Sequence, residues 1–76
     1  MDRALREIIA EILNVNADNI ALDTDIRSFE RWDSFAQTQI VSEIENTLQA
    51  SIPIEAIKDL RTVRSFLSVM IIKDEQ

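Results

Sequence analysis

Leu5, Ile8, Ile9, Ile12 and Leu13 follow the i, i+3, i+4, i+7, i+8 spacing of a helix that buries one face. Asp2 can cap its start, and Asn14 is placed as a left-handed stop. From Val15 to Asp33 no period persists. Ile20, Leu22, Ile26, Phe29 and Trp32 stand isolated among Asp, Asn, Thr and Ser. Connections this long are unusual in a small domain and often carry function, and the spaced apolar residues predict one pinned to the core. The helical period returns from Phe35 to Leu48, with Ala36, Ile40, Val41, Ile44 and Leu48 on one stripe. Ser51-Ile52-Pro53 breaks it. Ile54, Ile57 and Leu60 then predict one short helix. Thr62 can cap a last helix with the stripe Val63, Phe66, Leu67, Met70 and Ile71, and the tail Lys73-Asp74-Glu75-Gln76 is expected to fray. With no alternating strand pattern and no repeat, residues 1–76 predict a single all-α domain. It is a small bundle of three long helices and one short one, with a long loop between the first two.

The most informative residues lie where that loop meets the second helix, at Trp32-Asp33-Ser34-Phe35. Ser34 falls in the first turn, where unpaired amides and the positive end of the helix dipole favour a phosphate ester. Serine is also a preferred N-cap, and Ser34 with Gln37 three residues on fits a capping box. On local spacing alone the plain cap is the better reading.

Composition narrows the choice. Seventy-six residues allow one modest core. There is no cysteine, which removes disulfides and thiol metal sites, and no histidine or tyrosine, which removes the commonest general base and the phenolic acid. Ser34 is left without an activating partner, so the chain is not expected to be an enzyme. A net charge of −6 argues against nucleic acid and anionic membranes and favours a basic patch on a protein partner. No apolar run reaches the length of a membrane span and no leader pattern precedes the first helix, so the expectation is a cytoplasmic monomer. Glycine is absent, which leaves left-handed backbone to residues such as Asn14, Asn16 or Asn19.

Other constellations carry less. Asp23-Thr24-Asp25 could open a calcium loop, but Arg27, Ser28 and Ser34 stand where a third ligand, a glycine and the closing glutamate are required. A solvated loop with local N-capping is the better account. Arg3 and Glu7 form an ordinary i,i+4 pair. Arg27 and Arg31 could meet a phosphate or a partner carboxylate, yet charges balancing Asp25, Glu30 and Asp33 explain them more simply. Phe35 lies opposite the stripe centred near Ile44 and shares an outward face with Thr38, Gln39, Ser42 and Asn46. Packing of its ring against the loop is an equal alternative.

Taken together, Leu22-Asp23-Thr24 in the loop, Asp33-Ser34-Phe35 at the second helix, Ile52-Pro53 after it and Thr62-Val63 opening the last helix resemble the acyl carrier protein family over nearly the whole chain. The resemblance reverses the local reading of Ser34. It implies that a phosphopantetheinyl transferase joins 4′-phosphopantetheine to Ser34, and that the arm's thiol holds an acyl or aminoacyl group for loading and transfer enzymes. It implies for Asp33 a contact with the transferase or its metal, though an ordinary acid beside a helix N-terminus fits equally. Phe35, Thr38, Gln39, Ser42 and Asn46 become the expected partner surface. Ile52, Ile57 and Leu60 resemble positions bordering an acyl cleft, but packing of a short helix is the better explanation of them. Gln39 and Asn46 depart from the acidic helix of fatty-acid carriers, and Trp32 stands where a small residue often precedes the motif. Both departures are similar to carriers of specialised or aminoacyl cargo. The competing reading is a cofactor-free helical interaction domain in which Ser34 only caps its helix.

Overall fold

The computed structural model describes residues 2–72, so the fraying expected of Lys73-Asp74-Glu75-Gln76 lies outside the described residues. Helix α1 spans Asp2–Leu13 and buries Leu5, Ile8, Ile9 and Leu13 of the predicted stripe together with Ala10, while Ile12 is only half-buried at the core margin. Asp2 lies within the first turn and not ahead of it. The helix stops at Asn14, whose φ is 59°. The Asn14 amide donates to the Glu11 carbonyl and the Val15 amide to the Ala10 carbonyl, the paired bonds of a Schellman ending. Asparagine takes the role that glycine usually fills.

The connection that follows is irregular but anchored. Two 3₁₀ turns, Ala17–Asn19 and Ile26–Ser28, are capped by the side chains of Asn16 and Asp25. Ile20 and Ile26 are fully buried, with Leu22, Phe29 and Trp32 packed on the core margin. Backbone bonds stitch the loop to the last third of the chain, from the Ile26 amide to Arg61 and from the Arg64 amide to Leu22. The ion pairs Arg64–Asp23 at 2.7 Å and Arg61–Asp25 at 2.9 Å run along the same seam.

Helix α2, Ser34–Thr47, buries Ala36, Gln37, Ile40, Val41 and Ile44 against α1 and the core. It ends through Gln49, which takes a left-handed φ of 52°. Sequence reading placed that conformation on Asn14, Asn16 or Asn19. Asn16 is instead an extended N-cap and Asn19 lies in a 3₁₀ turn. The predicted short helix is a 3₁₀ helix over Ile54–Asp59, which starts at Pro53 without a side-chain cap. Leu60 is buried after it, whereas Ile54 points to solvent at 82% exposure.

Helix α3 covers only Val63–Val69, opened by a full capping box between Thr62 and Ser65. Its expected stripe ran to Ile71, but Met70 is already extended. Ile71–Ile72 forms a short strand β2, antiparallel to β1 at Ala50–Ser51 with Ala50 opposite Ile72. Two consecutive isoleucines favour extended backbone, and the chain leaving α2 presents a free edge to accept them. The domain is therefore helical as expected, with a shorter third helix and one strand pair that no alternation announced.

Candidate functional site

The loop delivers the chain to α2 through Asp33, not Ser34. Asp33 is extended, and its Oδ1 accepts from the Ala36 amide at 2.7 Å, so Asp33 is the N-cap and Ser34 the first helical residue. The expected Ser34–Gln37 capping box does not form. A carboxylate suits the cap because it also meets the positive end of the helix dipole. Ser34 is exposed, and its hydroxyl makes no hydrogen bond among the described residues. The Ser34 and Phe35 amides likewise meet no acceptor there, as the first amides of a helix do.

Gln37, read in the sequence as a capping partner, is only 5% exposed and is the one buried polar residue described. Its Oε1 accepts from Trp32 Nε1 at 2.9 Å. Its Nε2 donates to the carbonyls of Ile57 at 2.9 Å and Leu60 at 3.1 Å. The buried amide thus joins the loop, α2 and the third 3₁₀ helix at one point. Burying it would be costly if any of these partners were missing. Its place on the Val41–Ile44 side of the stripe was the available signal, obscured by its polarity.

Arg27 closes the other side of this brace. Its Nε donates to the Leu60 carbonyl at 3.1 Å and one terminal nitrogen to the Lys58 carbonyl at 2.6 Å. Its guanidinium carbon lies 5.1 Å from the Trp32 ring centroid. Arg27 has no carboxylate partner among the described residues, because Asp25 is taken by Arg61. The expected balance with Asp25 holds only at longer range: Arg27 helps to lower the Asp25 carboxyl without an ion-pair contact to it. Arg31 is merely exposed.

These elements surround an open groove of about 470 Å³ lined by Arg27, Trp32, Ser34, Gln37, Thr38, Ile54, Ile57 and Lys58. Ile54 and Lys58 were not among the residues expected here, whereas Arg27 is one that the sequence offered as a phosphate contact. The 3₁₀ geometry that turns Ile54 outward depends on packing that the spacing does not reveal. Ile57 does reach the groove, whereas Ile52 and Leu60 are core residues.

Phe35, Thr38, Gln39, Ser42 and Asn46 are all exposed, with Phe35 at 71%. Packing of its ring against the loop is thus excluded. Thr38 opens on the Ser34 groove, while Gln39 and Ser42 border a second groove of about 570 Å³ against α1. The two carboxylates of α2 are engaged differently. Glu43 lines the second groove and accepts from Thr47 Oγ1, and Glu45 accepts from the Ile52 amide at 3.1 Å. The five ridge residues are themselves uncharged, with the exposed Glu43 beside Gln39 and Ser42 in the second groove.

Asp23 and Asp25 behave as a loop seam and not as cation ligands. A hydrogen bond from Arg64 holds the Asp23 carboxyl below the usual aspartate range. Asp25 is lowered first by Arg61 and then by the Arg27 amide it caps. No group of acidic side chains suited to a metal ion occurs among the described residues. None of their helices is long and apolar enough to cross a membrane.

Comparison with known families matches residues 3–69 to a model described as "Phosphopantetheine attachment site". No curated protein matches this chain.

Proposed function

Because the chain belongs to the phosphopantetheine attachment site family and is a carrier protein with a serine-linked 4′-phosphopantetheine, we propose that Ser34 is the serine that bears it. The state of its hydroxyl carries the assignment. Ser28, Ser65 and Ser68 each donate theirs to a backbone carbonyl. Ser42 lies inside α2, where the amides are used by the helix ladder, and Ser51 is half-buried in β1. Ser34 alone combines exposure, an uncommitted oxygen and neighbouring free amides. The site fits a phosphodiester, since those amides and the helix dipole favour its charge.

When bound, the group supplies a thiol that holds acyl or aminoacyl cargo as a thioester, in a chain that has no cysteine. Loading forms a bond from Ser34 Oγ to the pantetheine phosphorus of coenzyme A and breaks the phosphoanhydride, releasing adenosine 3′,5′-bisphosphate. The Ser34 proton leaves to a base on the transferase, because no base among the described residues is bonded to that hydroxyl. Asp33 fixes the first turn through Oδ1 and presents its other oxygen to the transferase or its metal.

Phosphopantetheinyl transferase and the loading and transfer enzymes dock on Phe35, Thr38, Gln39, Ser42 and Asn46. With all five of those side chains neutral, recognition depends on the exposed ring, shape and hydrogen bonds more than on steering. This supports service in a dedicated lipid, polyketide or related pathway in preference to general fatty-acid synthesis.

Incubation with coenzyme A and a broad-specificity phosphopantetheinyl transferase should add one prosthetic group by intact mass, and Ser34→Ala should abolish the gain. An unchanged mass with several transferases would favour the cofactor-free interaction domain. Addition at another serine would refute Ser34.

A further inference from the structure

We propose that Arg27 is a preformed seat for the phosphodiester on Ser34, directing the attached arm into the groove between α2 and the third 3₁₀ helix. This rests on Ser34 being the attachment site.

Arginine offers five N–H donors in a rigid plane. Here two of them serve the Leu60 and Lys58 carbonyls, and the Trp32 ring covers the cation. All three partners are neutral. They orient the guanidinium without forming an ion pair, and three donors remain without an acceptor among the described residues. Other cations of the same region are spent differently. Arg61 and Arg64 pair with Asp25 and Asp23, and Lys58 lies 3.4 Å from Asp59. Arg27 is thus an oriented cation with no ion-pair contact among the described residues, Asp25 acting on it only at longer range, and it lines the same groove as Ser34.

An anion is the missing partner, and the phosphodiester is the one held closest by its covalent bond. A cargo carboxylate would lie at the far end of the arm. The diester would take the free Ser34 and Phe35 amides on one side and the guanidinium fork on the other. From that anchor the arm would run past the Trp32 indole and the apolar side chains of Ile57 and Ile54. Arg27 is a positioning residue in this account and takes no part in the chemistry.

The test uses the full chain loaded from coenzyme A, with intact mass confirming one added group. The ¹⁵N resonance of Arg27 Nε is read before and after loading, together with the emission of Trp32, the sole tryptophan. Both should move in the wild type, while the Arg64 Nε resonance stays in place. The phosphorus-31 resonance of the loaded protein should shift toward that of a solvent-exposed phosphodiester in Arg27→Met. It should remain in place in Arg31→Met, which makes the same change in net charge. Absence of any mass gain defeats the carrier reading and the seat with it. A mass gain with Arg27 Nε and Trp32 unmoved defeats the seat alone, as does an equal phosphorus shift in the two variants. If Arg27→Met does not fold, the wild-type comparison decides.

Discussion

Asp33 and Ser34 are adjacent and chemically alike as caps, yet the structure separates their roles. The extended backbone at Asp33 aims its carboxylate at the Ala36 amide, which places Ser34 one step inside the helix with its oxygen unused. Removing each side chain should therefore have opposite consequences. Asp33→Ala should lose about 1 kcal/mol with the cap, lowering the melting temperature by roughly 4–8 °C for a domain this small. Ser34→Ala should change stability by no more than about 0.5 kcal/mol, because it removes no native hydrogen bond. Thermal melts of both variants decide the point, and a larger loss in Ser34→Ala would restore serine as the cap. The sequence showed a helix start here. It could not show which of two neighbouring cap residues would have the required backbone angles. Gln37 was equally ambiguous: its side chain could reach back to a cap or inward, and only the arrival of the Ile57 and Leu60 carbonyls made burial of the amide affordable.

At the scale of elements, α2 has two working faces. Its stripe buries as the period requires, and its opposite ridge carries an exposed ring and neutral side chains, with Glu43 at its edge. Phe35→Ala should leave the melting temperature nearly unchanged, since the ring is largely solvated. It should reduce kcat/KM for loading by a cognate transferase, with little dependence on salt. A large stability loss, or unchanged loading kinetics, would remove Phe35 from the docking surface. The end of α2 offers a separate test. Gln49 holds a left-handed backbone that costs an L-residue about 1 kcal/mol or more. Gln49→Gly should raise the stability by about 0.5–1 kcal/mol in urea titrations, after glycine's greater unfolded-state entropy is subtracted. A loss would show that the Gln49 side-chain bond to the Asn46 carbonyl outweighs the strain.

Across the whole molecule, the loop from Val15 to Asp33 is held by contacts more than thirty residues away in sequence, including the two aspartate–arginine pairs. Both aspartates have lowered folded pKa values, from Arg64 at Asp23 and chiefly Arg61 at Asp25. The unfolded chain therefore binds their protons more readily. Their stabilisation is complete above about pH 4 and is lost as the pH falls through the lower folded values. Urea midpoints should decline from pH 5 to pH 2, and the decline should be shallower in the double variant Asp23→Asn/Asp25→Asn. Equal slopes would show that the seam does not hold the loop.

Helix existence, the buried stripes and the approximate place of Ser34 were determined by the sequence itself, because 3.6-residue periodicity and cap chemistry are local properties. The resemblance added the identity of the expected prosthetic group. Only tertiary structure decided which residue caps α2, where α3 gives way to a strand, and that Arg27, Trp32 and Gln37 meet the third 3₁₀ helix beside Ser34. The cap turns on the backbone angles at Asp33, while the other outcomes depend on partners brought together from distant parts of the chain, and no spacing rule encodes a hydrogen bond across twenty or thirty residues.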